Sequence, residues 1–474
     1  MEHPFNEKDF WERYWRLMVP DTIPRGAKLP IFSHALGCKL FAVDGGVYTD
    51  WCSQVGIINI GHGNRLFRKI CYEYERQKYE ANLRNEPELL ESLIASDFPF
   101  SFEITVDGKT IEISQPALVE MLARHTFGCT TKIMKQVDGG KMVNTILSKF
   151  IPWLTKKRLG LAFDGAFHGR PGYALTATMS KSVHKEGFLV PDGIFHLPYP
   201  CGSQKVLDEC YQQLKRLPLA DIGYVIFELV QGEGGIIPAD FYTVEFLNYL
   251  WGKKILLVDD DIQTGFGRTG TWFAFQQYGI KPDIVLGSKS FASGYPIAFA
   301  AFDSLNPRLA GHENFPEGGD SSTFQWNPEG VLKAIATIYA LEEKKPEYGG
   351  RDLVGHGKDM GEILAIGIER VIAQSFPDGN SAIGLFCIHR KLGLHQGVEF
   401  RERRPDGSDI PAPQFCDVVL ARLLKCGIVT MGAGNSNINP TIRFMPPLVV
   451  TEKEIGEFLH ALETSLVHIQ HSMK

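Results

Sequence analysis

The sequence predicts an α/β fold with a mainly parallel central sheet. Between residues 155 and 302, short apolar runs alternate with helix-length segments. Runs of this kind are typical of strands that are covered on both faces, as the strands of parallel sheets are. The runs read LGLAFDGAF, IGYVIFELV, KILLVDD, PDIVLGS and YPIAFAAF.

The two ends of the chain follow a different pattern and are expected to form a smaller domain. Alternating runs over 30–60 predict short strands, with a hairpin turn at the Asp-Gly-Gly of 44–46. Residues 328–375 predict two long helices. Thr451 and Glu454 form a capping box before a final amphipathic helix.

These patterns divide the chain into three parts. The parts are an N-terminal segment over 1–75 that contributes to the small domain, a large domain over 76–345, and a C-terminal small domain over 346–474. Residues 97–116 alternate with period two around an Asp-Gly turn, which predicts a hairpin inserted in the large domain. The pattern assigns no function to this hairpin.

The composition limits the class of protein. With 474 residues, 44% of them hydrophobic, and a net charge of −6, the chain is globular and has no excess of basic residues for nucleic acid. Its nine scattered cysteines suit a reducing compartment rather than a disulfide framework. The first residues lack the pattern of a secretory signal, and no apolar run approaches the ~20 residues of a membrane span. We therefore expect a cytoplasmic protein with no membrane or nucleic-acid partner.

Three consecutive acids, Asp259, Asp260 and Asp261, follow the apolar run KILLV. They are open to three interpretations: a metal site, a solvated turn, or a carboxylate that faces a buried cation. Side chains alternate along a strand, so Asp260 is expected to point away from its two neighbours. Because a metal cage needs converging ligands and no histidine lies nearby in the sequence, no metal is expected.

Lys289 follows the next apolar run, PDIVLGS. A lone lysine at such a position is more often a solvated charge. However, ligands of open α/β sheets bind at the carboxyl ends of the strands, where Asp260 is also expected. A lysine that forms a Schiff base and an acid that pairs with a pyridinium nitrogen are the two groups that pyridoxal phosphate (PLP) requires.

Five segments resemble, in order, the signatures of class-III PLP-dependent aminotransferases: FELVQGEGG, VDDDIQTGFGRTG, PDIVLGSKS, SSTFQWNP and IRFMPPL. The resemblance covers roughly residues 25–470. It implies PLP-dependent transferase fold type I, with a large domain around a mainly parallel sheet and a small α+β domain. VDGGKMV and DGAFHGRPGYALTATMSKS are most similar to the L-lysine 6-aminotransferase and 4-aminobutyrate aminotransferase branch.

The resemblance implies four residues around the PLP ring. Lys289 would hold PLP and move the proton between the substrate carbon and the cofactor. Asp260 would pair with the ring nitrogen, and Gln263 would bond to the phenolic oxygen. Phe167 would stack on the ring.

The resemblance also implies a phosphate site. Gly139 and Gly140 open a helix and can offer backbone donors. Thr323 resembles a threonine that reaches the phosphate of the partner subunit, which implies a homodimer with shared active sites. Asp138 departs from the family pattern and would repel a phosphate unless its side chain caps the helix; Lys141 is also unusual here.

Arg170 and Arg443 match the arginines that bind substrate carboxylates, since the planar guanidinium fits a carboxylate. Glu233 resembles the glutamate that pairs with the second arginine and swings away when 2-oxoglutarate binds. Gln325 and Trp326 stand where small residues are common, which predicts a narrower or more aromatic pocket.

The leading hypothesis is an aminotransferase that moves an ω-amino group, from L-lysine or a similar donor, to 2-oxoglutarate, giving an aldehyde or keto product and L-glutamate. Alternatives on the same scaffold are a 4-aminobutyrate- or ornithine-type enzyme, an amino-sugar aminotransferase, and a PLP-dependent amino-acid racemase or epimerase. The altered phosphate loop adds a further alternative, a member that binds PLP or a partner without turnover.

Overall fold

The computed structural model describes residues 6–18, 29–87, 99–377 and 384–472. The helices are α1 (Glu7–Leu17), α2 (Ser53–Gly56, one turn with left-handed residues), α3 (Arg65–Leu83), α4 (Gln115–Ala123), α5 (Gly139–Thr145), α6 (Ile151–Thr155), α7 (Gly172–Ala177), α8 (Gln204–Leu214), α9 (Phe241–Gly252), α10 (Pro328–Glu342), α11 (Leu353–Ser375), α12 (Pro413–Lys425) and α13 (Glu452–Ser472). Within the described ranges, no helix combines the length and the apolar character that crossing a membrane would need.

The strands are β1 (Phe32–Leu36), β2 (Lys39–Ala42), β3 (Val47–Asp50), β4 (Ser101–Val106), β5 (Lys109–Ser114), β6 (Thr131–Gln136), β7 (Leu159–Phe163), β8 (Ile194–Leu197), β9 (Ile222–Phe227), β10 (Val230–Gln231), β11 (Ile237–Pro238), β12 (Leu256–Asp260), β13 (Ile284–Gly287), β14 (Ala298–Asp303), β15 (Leu385–Leu392), β16 (His395–Arg403), β17 (Asp409–Pro411), β18 (Ile428–Val429), β19 (Met431–Ala433) and β20 (Thr441–Phe444).

Seven strands form the central sheet, in the order β6-β14-β13-β12-β9-β7-β8. The strands from β8 to β13 pair in parallel, and β14 runs antiparallel to both of its neighbours. Alternate residues of β9 belong to separate apolar clusters, with Tyr224 and Ile226 on one face and Val225 and Phe227 on the other. The predicted mainly parallel sheet, covered on both faces, is confirmed.

Segments near both ends of the chain share a second sheet, in the order β1-β2-β3-β18. The predicted hairpin turn at 44–46 joins β2 to β3, and β18 pairs with β3 in parallel. A further sheet, β15-β16-β20-β19 with β17 beside β16, lies in the C-terminal part with α11, α12 and α13. The hydrogen bonds predicted between Thr451 and Glu454 are present at the start of α13.

Strands β4 and β5 form the predicted hairpin around an Asp-Gly turn. Residues 97 and 98 of the predicted range lie outside the described residues. Ile104, Ile111 and Ile113 of this hairpin are buried in the same apolar cluster as Leu118 of α4 and Val331 of α10. The hairpin is therefore part of the core on one face.

Candidate active site

A cavity of about 320 Å³ opens where the parallel strands β7, β9, β12 and β13 end. Seven of the ten residues predicted for the site line its wall: Gly139, Gly140, Phe167, Glu233, Asp260, Gln263 and Lys289. Five segments at one sheet edge, which follow β6, β7, β9, β12 and β13, thus bring together residues that are up to 150 positions apart in the sequence. Arg170, Thr323 and Arg443 are not in the wall.

Asp260, the last residue of β12, is buried and lines the cavity. Its Oδ2 atom lies 2.7 Å from Nδ1 of His168, and its Oδ1 atom accepts a hydrogen bond from the backbone N–H of Ile262 at 3.2 Å. The buried Nε2 atom of His168 has no hydrogen-bond partner in the described part of the chain. His168 lines the cavity as well, so the wall contains a carboxylate whose orientation is fixed by a neighbouring imidazole, a residue to which the sequence motifs assigned no role.

The two flanking acids do not line the cavity. Asp261 accepts a hydrogen bond from the backbone N–H of Ala274 and another from the hydroxyl of Thr264. Burial raises the pKa of Asp261 to about 7 although these hydrogen bonds lower it. Burial also raises the pKa of Asp259 well above its ordinary value, and in the described chain no amide, hydroxyl or ammonium group donates to its carboxyl. Only the middle acid is presented to a ligand.

Lys289 follows β13 and has a left-handed backbone, with φ of +47°. Its ammonium group, in the wall of the cavity, forms no hydrogen bond or ion pair that the described residues provide. Burial lowers the pKa of Lys289, and the negative charges of Glu233 and Asp260 only partly oppose that shift. The lowered pKa favours the neutral amine, which is the nucleophilic form.

Glu228 also lines the cavity, although no sequence motif assigned it a role. Its carboxylate accepts hydrogen bonds from the backbone N–H groups of Phe167, at 3.0 Å, and Gly232, at 3.2 Å. Burial raises the pKa of Glu228 to about 7. The residue holds the loop that carries Phe167 against the loop that leads to Glu233. Its signal was its place directly after β9, in FELVQGEGG.

Gln263 and Gly232 form a close contact at the edge of the cavity. A Cβ atom on Gly232 would lie 1.9 Å from Oε1 of Gln263, so only glycine leaves room for the amide. The buried Oε1 atom has no hydrogen-bond partner among the described residues. The amide of Gln263 is thus available to a ligand.

Gly139 and Gly140 begin a helical run that continues through a π-helical turn, 146–150, to residue 155. A Cβ on Gly139 would lie 2.8 Å from Ile262. Asp138 is the N-cap residue, and its side chain accepts a hydrogen bond from the backbone N–H of Lys141 at 2.9 Å. The carboxylate therefore caps the helix, which is the arrangement under which Asp138 was expected to be compatible with a nearby phosphate.

Two cations bind Glu233. Its Oε1 atom lies 2.5 Å from Nη2 of Arg443, and its Oε2 atom lies 3.2 Å from Nζ of Lys181. Burial alone would raise the pKa of Glu233, but the charges of Arg443 and Lys181 outweigh it and lower that pKa to about 2. Arg443 lies on β20 behind Glu233, with 2% of its side chain exposed. Lys181 lies in the segment DGAFHGRPGYALTATMSKS, which by itself predicted no role for it.

Three other predicted features lie outside the wall. Arg170 and Thr323 are exposed. The expectation of a pocket narrowed by Gln325 and Trp326 is wrong, since neither side chain lines the cavity. Trp326 is instead buried beside β14, where its Nε1–H donates to the carbonyl of Ala298 at 2.8 Å. A large side chain in a loop next to a site can turn into the core, and the sequence pattern does not show which way it turns.

The wall fits PLP. It combines the amine of Lys289, a buried acid at Asp260, the ring of Phe167 and the amide of Gln263, whose Oε1 atom has no partner among the described residues. Around one sheet edge of an α/β fold, these groups define a PLP-dependent transferase of fold type I.

Residues 137–466 match the family model described as Aminotransferase class-III, and the chain belongs to that family. PLP is the cofactor of this family and of this chain. The chain is 28% identical to 2-aminoadipate transaminase of Pseudomonas putida, over 92% of this chain and 95% of the relative. It is 26% identical to the 4-aminobutyrate aminotransferase GabT of Escherichia coli, over 93% and 95%. The crystal structure of a transaminase from the marine bacterium Virgibacillus has the same fold, with a TM-score of 0.81 at 18% identity over 98% and 100% of the two chains.

Proposed function

We propose that this enzyme moves the terminal amino group of an ω-amino acid, L-lysine or a similar donor, to 2-oxoglutarate. The products are an aldehyde and L-glutamate. The observation that carries the proposal is Glu233, held between Arg443 and Lys181 on the wall that also contains Lys289. With a donor that has one carboxylate, Glu233 must neutralise Arg443. With a dicarboxylate acceptor, Arg443 must instead be free for the second carboxylate of the substrate.

The residues of the wall would hold PLP as follows. Lys289 would bind its aldehyde carbon, Asp260 would pair with the ring nitrogen, and Gln263 would bond to the phenolic oxygen. Phe167 would lie on the ring. When bound, PLP supplies an electron sink for the substrate carbon that carries the amino group.

The phosphate would meet the backbone of Gly139 and Gly140 at the start of the helical run. Thr323 of the partner subunit would complete this site in a homodimer with shared active sites. Thr323 is exposed and outside the cavity of its own chain, which supports this arrangement. The nine cysteines are free thiols, which supports a cytoplasmic location.

Lys289 would have a second role once the amine of the substrate has taken its place on the aldehyde carbon of PLP. Its lowered pKa lets Nζ take the proton from the substrate carbon and return it at the other end of the transfer. His168 keeps Asp260 oriented during this step.

Glu233 would adapt the pocket to two kinds of substrate. Arg443 is buried and needs a neutralising partner at all times. With a donor that has one carboxylate, Glu233 provides the charge. With 2-oxoglutarate, the second carboxylate of the acceptor would take its place on Arg443, and Lys181 would remain as the partner of the displaced Glu233. Arg170, on the loop after Gly169, would bind the other carboxylate.

The relatives support both halves of this reaction. The name of GabT gives 4-aminobutyrate, an ω-amino acid, and the other relative is named for 2-aminoadipate, a dicarboxylate. The donor itself is chosen by length and charge at the far end of the cavity, so L-lysine, L-ornithine, 5-aminovalerate and 4-aminobutyrate form the panel to test.

The test is the visible absorption of the PLP-loaded protein, recorded after each donor and again after 2-oxoglutarate. We expect one ω-amino donor to abolish the band of lysine-bound PLP and 2-oxoglutarate to restore it, with one glutamate formed per donor consumed. A Lys289→Ala variant is the control. Isotope exchange at the α-carbon without glutamate would instead identify a racemase, and no response to any donor would contradict the proposal.

A further inference from the structure

Asp320 is a buried acid outside the cavity wall, with 4% of its side chain exposed. Three donors converge on it: Nε2 of Gln136 at 2.5 Å, the hydroxyl of Thr145 at 2.9 Å and Nζ of Lys149 at 2.7 Å. Gln136 ends β6, and the other two donors lie on the helical run that begins at Gly139. Asp320 thus ties its own segment to the helix whose first residues line the cavity.

A second fixed point follows six residues later. Trp326 has φ of +46°, a conformation that is rare for a bulky residue and strains the backbone. Its burial and its hydrogen bond to Ala298 hold it there. The side-chain amide of Asn327 donates to the carbonyl of Phe324, at 3.2 Å, and to the hydroxyl of Tyr295, which lines the cavity.

The segment 321–325 therefore lies between two anchored ends; its last residue, Gln325, is buried, and its middle projects. Thr323 is exposed, and 65% of Phe324 is exposed although it is a large apolar residue. Neither lines the cavity of this chain. A buried carboxylate is retained only where its partners offset the loss of hydration. Here that arrangement fixes a short segment that exposes Thr323 and Phe324 outside the cavity of their own chain.

We propose that Asp320 is a positioning residue for the active site of a second copy of this chain. By fixing the projecting segment 321–325, it presents Thr323 to the phosphate of the PLP molecule in the partner's pocket. The inference rests on the shared-site dimer of the proposed function. The group that it acts on is a phosphate monoester, and the residue itself touches neither PLP nor substrate.

The first measurement is PLP affinity rather than turnover. Borohydride reduction attaches PLP irreversibly to Lys289, so mass spectrometry after reduction counts occupied pockets at each PLP concentration. Asp320→Asn keeps the shape and removes the charge that Lys149 neutralises. We expect the half-saturating PLP concentration to rise about tenfold, as the loss of a charge-assisted hydrogen bond predicts. Glu313→Gln, which removes an exposed charge from the same stretch, should leave it unchanged.

Mixed dimers separate the two pockets. In a dimer of one Asp320→Asn subunit and one Lys289→Ala subunit, only the former can be labelled, and its pocket receives the intact segment of the latter. We expect this mixed dimer to return to the wild-type half-saturation. If Asp320 acts on its own chain, through the helical run at 139–155, the mixed dimer will label as poorly as the Asp320→Asn homodimer, and the proposal is overturned.

The same mixing with Thr323→Ala tests the shared site by itself. One outcome is that a Lys289→Ala partner restores the half-saturating PLP concentration of Thr323→Ala but not that of Asp320→Asn. That result would leave the shared-site dimer intact and remove only the role of Asp320. If Thr323→Ala is not restored either, the shared site fails as well. Should Asp320→Asn not form dimers, Lys149→Met provides the second route, because it unpairs the same carboxylate without changing the segment. We expect about a threefold weaker PLP affinity from it, with the same restoration in mixed dimers.

Discussion

Nδ1 of His168 lies 2.7 Å from Oδ2 of Asp260, and both side chains are buried. His168 belongs to the loop after β7, whereas Asp260 ends β12, so the bond joins two loops of the sheet edge. A buried carboxylate needs hydrogen-bond donors to offset the loss of hydration. His168 and the backbone N–H of Ile262, two residues that also line the cavity, are those donors.

His168→Phe should keep the ring volume and remove the hydrogen bond. We expect kcat/KM to fall by about 10- to 100-fold, since a hydrogen bond to a charged group contributes roughly 1.5–3 kcal/mol. PLP should still bind, because Lys289 is unchanged. Steady-state kinetics with the best donor and the absorbance of bound PLP test this, with His34→Phe, at an exposed histidine, as the control. Turnover within twofold of wild type would show that Asp260 needs no such support.

Glu233→Gln should separate the two half-reactions. With one substrate carboxylate the buried Arg443 would lack a neutralising charge, so we expect the half-reaction of an ω-amino donor to slow by about 10- to 100-fold. The half-reaction of L-glutamate, which brings its own second carboxylate, should change by less than about threefold. Rapid mixing that follows the absorbance of bound PLP measures both rates. Equal losses for the two substrates would argue against the alternation.

The pH dependence of Glu233 gives an independent check. Because its pKa is lowered from 4.5 to about 2, its ionised form stabilises the folded state fully above pH 4.5, and this contribution is lost as the pH falls toward 2. The turnover of wild-type enzyme should therefore show no inflection from Glu233 near neutral pH. An inflection that disappears in Glu233→Gln would contradict this assignment.

The sequence predicted the sheet and the cluster of residues at its edge because both follow from local patterns. Apolar runs of strand length specify buried strands, and the carboxyl ends of parallel strands meet at one edge. Asp260 and Lys289 follow neighbouring strands, so their proximity could be expected.

The side chains that hold Asp260 and Asp320 could not be predicted in this way. The partner of Asp260 is 92 positions away and the partners of Asp320 are more than 170 away. Such pairs depend on how loops pack, and no spacing along the chain encodes them. Trp326 shows the converse: its size suggested a pocket residue, but a left-handed backbone turns it into the core.

Asp259→Val should stabilise the protein more at pH 8 than at pH 5. Burial raises the pKa of Asp259, so the folded state favours the protonated acid. The protonated acid therefore contributes its full stability below the ordinary pKa of 3.8, and this stability is lost as the pH rises through the pKa of the folded state. Removing this acid, to which no described amide, hydroxyl or ammonium group donates, should raise the free energy of unfolding at pH 8 on the order of 2 kcal/mol. Denaturant unfolding at both pH values tests this.

Asp261→Val is the matched control for that prediction, because its carboxylate accepts hydrogen bonds from Ala274 and Thr264. It should lower the stability at both pH values by about 1–3 kcal/mol, since buried donors lose their acceptor. If both variants lower the stability equally, Asp259 has a partner in solution.

Asp138 offers the sharpest test of the unusual phosphate loop, because it combines two opposing effects at the start of one helix. Its carboxylate caps the helix through the N–H of Lys141, yet it adds a negative charge to the wall where a phosphate would bind. Asp138→Ser keeps an oxygen for the cap and removes the charge. We expect PLP to bind only about two- to fivefold more tightly, because the carboxylate is exposed and solvent screens its repulsion of the phosphate. The thermal stability should not change, because the serine oxygen keeps the cap.

Asp138→Ala removes the cap as well and should cost about 1 kcal/mol of stability while it also relieves the repulsion. Equilibrium titration of PLP and thermal unfolding of all three proteins separate the two effects. If Asp138→Ser binds PLP more weakly than wild type, the carboxylate is itself part of the phosphate site, for instance by orienting Lys141 toward the phosphate, and this loop holds PLP by a route that differs from the family pattern.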